Sequence, residues 1–118
     1  MTGLPAAANF VTGAGGTWTQ TFQMDGVDIT GLDWEFVIRP QAVDTAQPPL
    51  VKVTPTETAQ GRIIVDTVAG TVQVILTPAA TGPLGKGARP YALWSNPGLP
   101  TAIPWCAGIF NTTLVPAP

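Results

Sequence analysis

Three aspartates lie close together in the sequence and are the first residues to consider for chemistry. The chain has seven acidic residues, and Asp25, Asp28 and Asp33 are grouped around one predicted turn. A pair of carboxylates can hydrolyse a glycosidic bond, and several carboxylate oxygens together can bind Ca²⁺. The spacing matches no EF-hand loop, however, and aspartate is common in turns because its side chain accepts hydrogen bonds from nearby backbone amides. We therefore predict turn-forming aspartates, with no catalytic residue and no metal site.

The residue types that most often carry out nucleophilic or metal chemistry are scarce. Histidine is absent, which removes the usual base of nucleophilic triads and the usual transition-metal ligand. Cys106 is the only cysteine, so it cannot form an intramolecular disulfide, and we expect a small buried strand residue. The sequence GAGG at 13–16 lacks the Gly-Lys-Ser/Thr ending of a phosphate-binding loop, and we interpret it as a flexible hinge. These features predict a protein that is not an enzyme and uses no cofactor.

Charge and hydropathy argue against nucleic acid and membrane partners. The net charge is −2, and the five basic residues are scattered singly along the chain. No apolar stretch approaches the ~20 residues of a membrane span, and the N-terminus lacks the pattern of a signal peptide. Charged residues make up only 10% of the chain, against a usual ~25%. A surface with so few charges suits a protein that is largely covered by partners.

The four tryptophans are the remaining candidates for a binding site. Trp18 and Trp34 fall on the apolar faces of alternating segments, so we expect both in the core. Trp94 alternates out of phase with its apolar neighbours, and Trp105 follows a proline in a suspected edge strand. An exposed pair at these two positions could anchor a protein or stack on a sugar, and the scarcity of nearby amides and carboxylates favours a protein. The predicted partner-binding residues are Phe10, Trp94, Pro97, Trp105 and Leu114.

Alternation of apolar and polar residues predicts strands that are buried on one face. In DWEFVIR, residues 33–39, the side chains of Trp34, Phe36 and Ile38 alternate with charged or smaller residues. The predicted strands cover residues 17–24, 33–39, 50–54, 62–67, 71–77, 89–95 and 102–110. Two pairs of neighbouring strands, 62–67 with 71–77 and 89–95 with 102–110, form predicted hairpins. Pro104 cannot donate a hydrogen bond and requires an edge position or a bulge, and PAATGPL at 78–84 is the best helical segment.

These elements predict one all-β domain. About seven strands with turns between them indicate a single antiparallel β-sandwich over residues 17–110. Residues 1–16 are predicted to be an extended N-terminal arm, and residues 111–118 an extended C-terminal tail. The longest connection between strands is PQAVDTAQPP, residues 40–49.

The order of these segments resembles a known family. GTWTQTFQMDGVDITGLDWEFVIRP, then VAGTVQVILTPAATGPL, then GARPYALW and IPWCAGIF are similar to the small immunoglobulin-like β-sandwich of tailed-bacteriophage structural proteins. The likeness is to the N-terminal domain of baseplate upper proteins and fibre-attachment proteins, and covers residues 16–110. The matching positions are Gly26, Thr30, Gly31, Trp34, Arg39, Gly70, Val72, Val74 and Tyr91. Most of them are turn and core residues, so the resemblance implies a fold more strongly than a place in the particle.

The resemblance implies a structural protein of the virion, assembled in the host cytoplasm. The expected function is that of a tail or baseplate adaptor that joins fibres or other components to the tail, with other virion proteins as partners and several copies or a homo-oligomer in the particle. Two alternatives remain open: a capsid decoration protein that binds between capsomers, and a carbohydrate-binding module for attachment to the host surface.

Overall fold

The structure is a computed structural model that describes residues 6–41 and 48–116 of the chain. Within these ranges it has nine strands, one short α-helix and one 3₁₀ helix. The strands are β1 (Ala6–Ala7), β2 (Phe10–Gly13), β3 (Trp18–Gln23), β4 (Trp34–Ile38), β5 (Val51–Val53), β6 (Gly61–Asp66), β7 (Thr71–Leu76), β8 (Gly87–Ser95) and β9 (Ile103–Thr113). Helix α1 (Pro78–Thr81) continues into the 3₁₀ helix Gly82–Leu84, in the segment where the sequence predicts helix.

Two sheets pack face to face. The larger sheet has the order β1–β9–β8–β4–β5, with β2 also paired to β9, and the smaller has the order β3–β7–β6. Strands β9, β8, β4 and β5 take the places of G, F, C and C′ in an immunoglobulin-like sandwich, and β3, β7 and β6 take those of B, E and D. The prediction of an all-β sandwich is therefore confirmed. Two details differ: the described residues form nine strands rather than about seven, and β1 and β2 run parallel to β9, so the larger sheet is mixed.

The core lies between the sheets and follows the alternation in the sequence. Trp34, Phe36 and Ile38 of β4 are at most 1% exposed, and Trp18 of β3 is 8% exposed. Strand β7 buries Val72, Val74 and Leu76 on the same side. The prediction that Trp18 and Trp34 are core residues is confirmed. Each such side chain contributes roughly 1.5–3 kcal/mol through its removal from water.

An aromatic cluster joins the two sheets at the centre of the sandwich. The Phe36 ring lies 5.4 Å from Tyr91 within the larger sheet and 5.6 Å from Trp18 across the core. Phe110 meets Trp18 edge to face at 4.9 Å, and Phe10 meets the same indole at 5.1 Å. Offset and edge-to-face pairs each add about 0.5–1.5 kcal/mol beyond the burial of area. Because Phe10 lies on β2, this cluster also anchors the start of the described chain.

The segment predicted as an N-terminal arm contributes two strands. Residues 6–7 and 10–13 are hydrogen-bonded to β9 and belong to the larger sheet. Between them the Ala8 carbonyl oxygen turns inward and accepts a hydrogen bond from the Tyr91 hydroxyl at 2.7 Å. A side chain at Gly108 would overlap that carbonyl, so glycine is required there. At the other end β9 extends to Thr113, three residues into the predicted C-terminal tail.

The GAGG sequence forms a tied turn between β2 and β3. The Gly15 amide donates to Thr81 Oγ1 at 3.2 Å, and that hydroxyl donates to the Gly16 carbonyl at 2.6 Å. The Ala14 amide donates to the Thr113 carbonyl, and Gly15 has φ +87°, which favours glycine. Our prediction of a flexible hinge is wrong for this segment, because the buried hydroxyl of Thr81 holds the turn against α1.

Both predicted hairpins are present. Asp66 Oδ1 accepts hydrogen bonds from the amides of Val68 and Ala69 in the turn between β6 and β7. The second hairpin, β8–β9, carries a bulge near Pro104, which is one of the two solutions that the proline requires. Residues 42–47 of the predicted long loop lie outside the described residues. No helix in the described part of the chain is long and apolar enough to cross a membrane.

Candidate functional site

A groove with a volume of about 830 Å³ lies on the outer face of the larger sheet. Its floor is formed by the outward residues of β4, β8 and β9, and its wall by the 96–102 loop that joins β8 to β9. Ligand pockets in proteins typically have volumes of ~300–1,000 Å³ and apolar linings. The size of this groove is therefore that of a binding site.

Small side chains in register make the hollow. Val37 of β4 lies opposite Ala92 of β8, which lies opposite Ala107 of β9, so one row of short side chains crosses three strands. Val37 points away from the core, between the inward side chains of β4, yet it is only 5% exposed. Larger residues on the rows to either side rise above this row and shelter it. The depth of the groove thus follows from alternation within each strand and size differences between rows.

Trp94 and the 96–102 loop form one end of the groove. Trp94 lies opposite Glu35 on one side and Pro104 on the other. Pro97, Gly98, Leu99 and Ala102 of the loop also line this end. Trp94 is half-buried, and Leu99 is 52% exposed. At this end the flat Trp94 indole therefore lies beside the aliphatic side chain of Leu99, and both are accessible to solvent.

Asn96 fixes the loop to the sheet. The Asn96 side-chain oxygen accepts a hydrogen bond from the Asp33 backbone amide at 3.0 Å, and the Asn96 backbone amide donates to the Asp33 carbonyl at 2.8 Å. Its side-chain nitrogen donates to Thr101 Oγ1 at 3.2 Å, across the loop. Asn96 has φ +47°, a conformation that asparagine tolerates better than most residues. These hydrogen bonds hold the wall of the groove in one conformation, and a preformed wall lowers the entropy cost of binding.

A β-bulge separates the two tryptophans that we predicted as a pair. Leu93 pairs with Cys106 and Trp94 with Pro104, so Trp105 is the extra residue of the bulge. The Trp105 indole packs toward the core, 6.3 Å from the Trp34 ring, and its nitrogen donates to Ser95 Oγ at 2.8 Å. The expectation of an exposed aromatic pair is wrong, because the bulge turns Trp105 away from the face that carries Trp94.

The other predicted partner-binding residues are divided between the groove and elsewhere. Pro97 lines the groove with Trp94. Phe10 is half-buried in the aromatic cluster, where its ring contacts Trp18, Phe22 and Tyr91. Leu114 is 70% exposed beyond the end of β9, away from the groove lining. The structure thus brings together two of the five predicted residues.

Charges lie along the β4 side of the groove. Glu35 and Arg39 both line it, on either side of Val37. Glu35 forms an ion pair with Lys52 of β5, with a separation of 3.4 Å between Oε2 and Nζ. The rest of the lining is mainly apolar. A bound segment would meet charge along one side of the groove and aliphatic or aromatic surface elsewhere.

Of the three grouped aspartates, Asp25 lies in a turn, and Asp28 and Asp33 lie in the irregular segment between β3 and β4. The Thr30 amide donates to Asp28 Oδ1 at 3.0 Å, and this hydrogen bond holds the pKa of the Asp28 carboxyl below its usual value. Among the residues that the structure describes, no three histidine, cysteine or acidic side chains are grouped so that they could hold a metal ion.

Several groove residues were not predicted from the sequence. Val37, Ala92, Leu99, Ala107 and Ile109 line the groove, and none was identified as a site residue. A signal was present in RPYALWS, where both alternating faces are apolar instead of one. The outward face of an antiparallel sheet is usually polar, so an apolar outward face is the signal of a second contact surface.

Comparison with known proteins gives no relative on which to base a function. The sequence matches no protein-family model, and no curated protein is detectably similar to it.

Proposed function

We propose that the chain is a non-enzymatic structural protein of a tailed-phage virion, an adaptor that joins fibres or other components to the tail or baseplate. The motifs of the sequence support the phage assignment through their resemblance to baseplate and fibre-attachment domains. The apolar groove around Trp94 supports the adaptor role, and is the observation that carries the proposal. Its occupant is a segment of a neighbouring virion protein.

The outer faces of the two sheets differ, and this difference supports a docking role. On β3 the outward residues are Thr19, Thr21 and Gln23, which is the usual polar composition of a face in contact with water. On β8 they are Pro90, Ala92 and Trp94 instead. Contiguous apolar surface of this kind marks interaction sites, and tryptophan is among the residues that most often dominate binding energy.

The lining indicates the chemistry of the bound segment. The narrow row of Val37, Ala92 and Ala107 has room for apolar side chains above it. The Trp94 indole offers a flat surface for an aliphatic side chain or a proline ring. Glu35 and Arg39, on either side of this row, can orient the segment through its polar groups. An extended, mainly apolar peptide meets these conditions better than a sugar, since a two-tryptophan platform is not formed.

Fractionation of the particle tests the location. Virions are dissociated, heads and tails are separated on a gradient, and the chain is identified by mass spectrometry in each fraction. The proposal predicts recovery with tails. Recovery with heads would make the protein a capsid decoration protein, and absence from both fractions would contradict a virion role altogether.

A binding assay tests the groove. The Trp94→Ala variant is expected to weaken binding to purified tail components by ~30-fold or more, the range of a hot-spot residue. Ile64→Ala is the matched control, because Ile64 is a partly exposed aliphatic residue, 39% exposed, on the outer face of the other sheet. Equal binding by both variants would show that the groove is not the docking surface.

A further inference from the structure

Three of the four lateral sheet edges are short or partly covered within the described chain. Beyond β9 the larger sheet ends in β1 and β2, which have only two and four residues. At the β5 edge the Gln60 side chain replaces a strand: its Oε1 accepts the Lys52 amide at 3.1 Å and its Nε2 donates to the Leu50 carbonyl at 3.2 Å. At the β6 edge the Ile63 amide donates to the Thr54 carbonyl at 2.9 Å. Open edges invite pairing with other chains, and these three are protected against it.

Strand β3 is the edge that differs. It is the end strand of the smaller sheet, and no residue of 6–41 or 48–116 pairs with its outer side. The Met24 amide donates to Gly70 in the turn before β7, so the even-numbered residues direct their backbone groups toward β7. The backbone groups of Thr19, Thr21 and Gln23 therefore point away from the sheet. All three residues are exposed, and the Thr21 carbonyl meets only the Gln20 side chain, at 3.3 Å.

The usual devices that protect an edge are missing from β3. Its sequence, WTQTFQ, contains no proline and no charged residue, and its pairing with β7 runs in regular register from Trp18 to Gln23. Natural edges are normally protected by lysine, proline, a bulge or a short length. A six-residue edge without any of them, in a chain whose other three edges are short or partly covered, has the features of a pairing surface.

We propose that this edge, the β3 edge, binds the β3 edge of a second copy of the chain. The pairing is antiparallel about a two-fold axis at Thr21, and joins the two smaller sheets into one continuous six-stranded sheet. Thr21 lies opposite Thr21 of the second copy, and Thr19 opposite its Gln23. Each of these residues directs one donor and one acceptor outward, so three residue pairs with two bonds each give six backbone hydrogen bonds.

The side chains favour a second copy as the occupant. A two-fold contact places each residue near its own equivalent, so any charge on the strand would meet a like charge, and β3 carries none. The facing outer side chains, threonine with threonine and threonine with glutamine, can hydrogen-bond across the pair. The outward sites at 19, 21 and 23 are symmetric about Thr21, as a two-fold contact requires. This inference does not depend on the proposed function in the virion.

Sedimentation velocity over a concentration series tests the association. The full chain is expected to shift from monomer to dimer as its concentration rises. Thr21→Lys opposes two ammonium groups at the axis and is expected to raise the dissociation constant ~10-fold or more. Ile64→Lys adds the same charge to β6, at the other end of the same sheet, and is expected to leave the constant unchanged. A chain that stays monomeric throughout, or a Thr21→Lys variant that dimerises like the unchanged chain, would overturn the proposal.

A disulfide test locates the contact. Cys106 is the only cysteine and is 4% exposed, so a cysteine placed on the surface is the accessible thiol. Paired Cα atoms at a hydrogen-bonded site lie ~5.5 Å apart, within disulfide range. Thr21→Cys is therefore expected to form a covalent dimer under mild oxidation, at a concentration at which Ile64→Cys does not. The β3 edge is not the contact if both variants cross-link alike, or if Thr21→Cys forms a non-covalent dimer in which no disulfide joins the two introduced cysteines.

Discussion

The Tyr91 hydroxyl is expected to hold the first strands of the chain against β9. It donates to the Ala8 carbonyl at 2.7 Å and lies 3.2 Å from Cys106 Sγ, at a residue that is 3% exposed. Tyr91→Phe removes the donor and leaves the Ala8 carbonyl without it, while the ring keeps its place in the aromatic cluster. The loss of such a bond costs about 1–2 kcal/mol. At about 4 °C per kcal/mol for a domain of this size, the melting temperature should fall by about 4–8 °C.

Hydrogen exchange distinguishes this local effect from a general one. In Tyr91→Phe the amides of residues 8–13 should lose protection beyond the fall in global stability, whereas those of β7 should change only with global stability. Ser95→Ala is the matched control: it removes a buried hydroxyl from the same strand and leaves the Trp105 indole nitrogen without its acceptor. We expect a comparable global loss in that variant, with no selective effect on residues 8–13. Uniform loss of protection in Tyr91→Phe would refute the argument that this hydroxyl anchors β1 and β2.

Three further perturbations follow from the packing. Burial, with the hydrogen bond to Cys106 as a smaller cause, raises the pKa of the Tyr91 hydroxyl above its ordinary value. As the pH rises, the unfolded chain therefore loses this proton before the folded chain does. The free energy of unfolding keeps its full contribution from Tyr91 below about pH 10 and loses it above that pH. Urea midpoints measured at rising pH should therefore fall less in Tyr91→Phe than in the unchanged chain. Phe36→Ala should cost about 3–5 kcal/mol in urea unfolding, since Phe36 is 0% exposed and contacts three other rings. Thr81→Val should cost about 1–3 kcal/mol, because Gly15 and Gly16 lose the hydroxyl that ties their turn to α1, and a cost near zero would show that the turn does not need it.

The strands and the core could be predicted from the sequence because alternation is a local property. Trp34, Phe36 and Ile38 reveal the inner face of β4 without any knowledge of its neighbours, and the same holds for β7. Strands β1 and β2 escaped prediction because two and four residues are too few to show a period, and their parallel pairing with β9 is a contact across about 100 residues.

The candidate site was predicted less well, for two physical reasons. Alternation assigns side chains to the correct face of a sheet only while the register is regular. The bulge adds Trp105 as an extra residue, and the Trp105 side chain therefore lies on the opposite face from the one that alternation predicts. The groove also depends on side-chain size across three strands, so Val37, Ala92 and Ala107 become a row only when the order β4–β8–β9 is known. Trp94 and Pro97 were found because an out-of-phase tryptophan beside a proline turn is visible in the sequence itself.

Cross-linking inside the assembled particle tests the central claim most directly. Leu99 is 52% exposed at the mouth of the groove, so a photoreactive side chain placed there should tolerate folding and reach a bound segment. The same group at Ile64 serves as the control. Irradiation of particles that carry the Leu99 variant should yield a covalent product with a tail or baseplate protein, identified by mass spectrometry, and the Ile64 variant should not yield it. A particle in which position 99 cross-links to no virion protein would contradict the groove as the docking site.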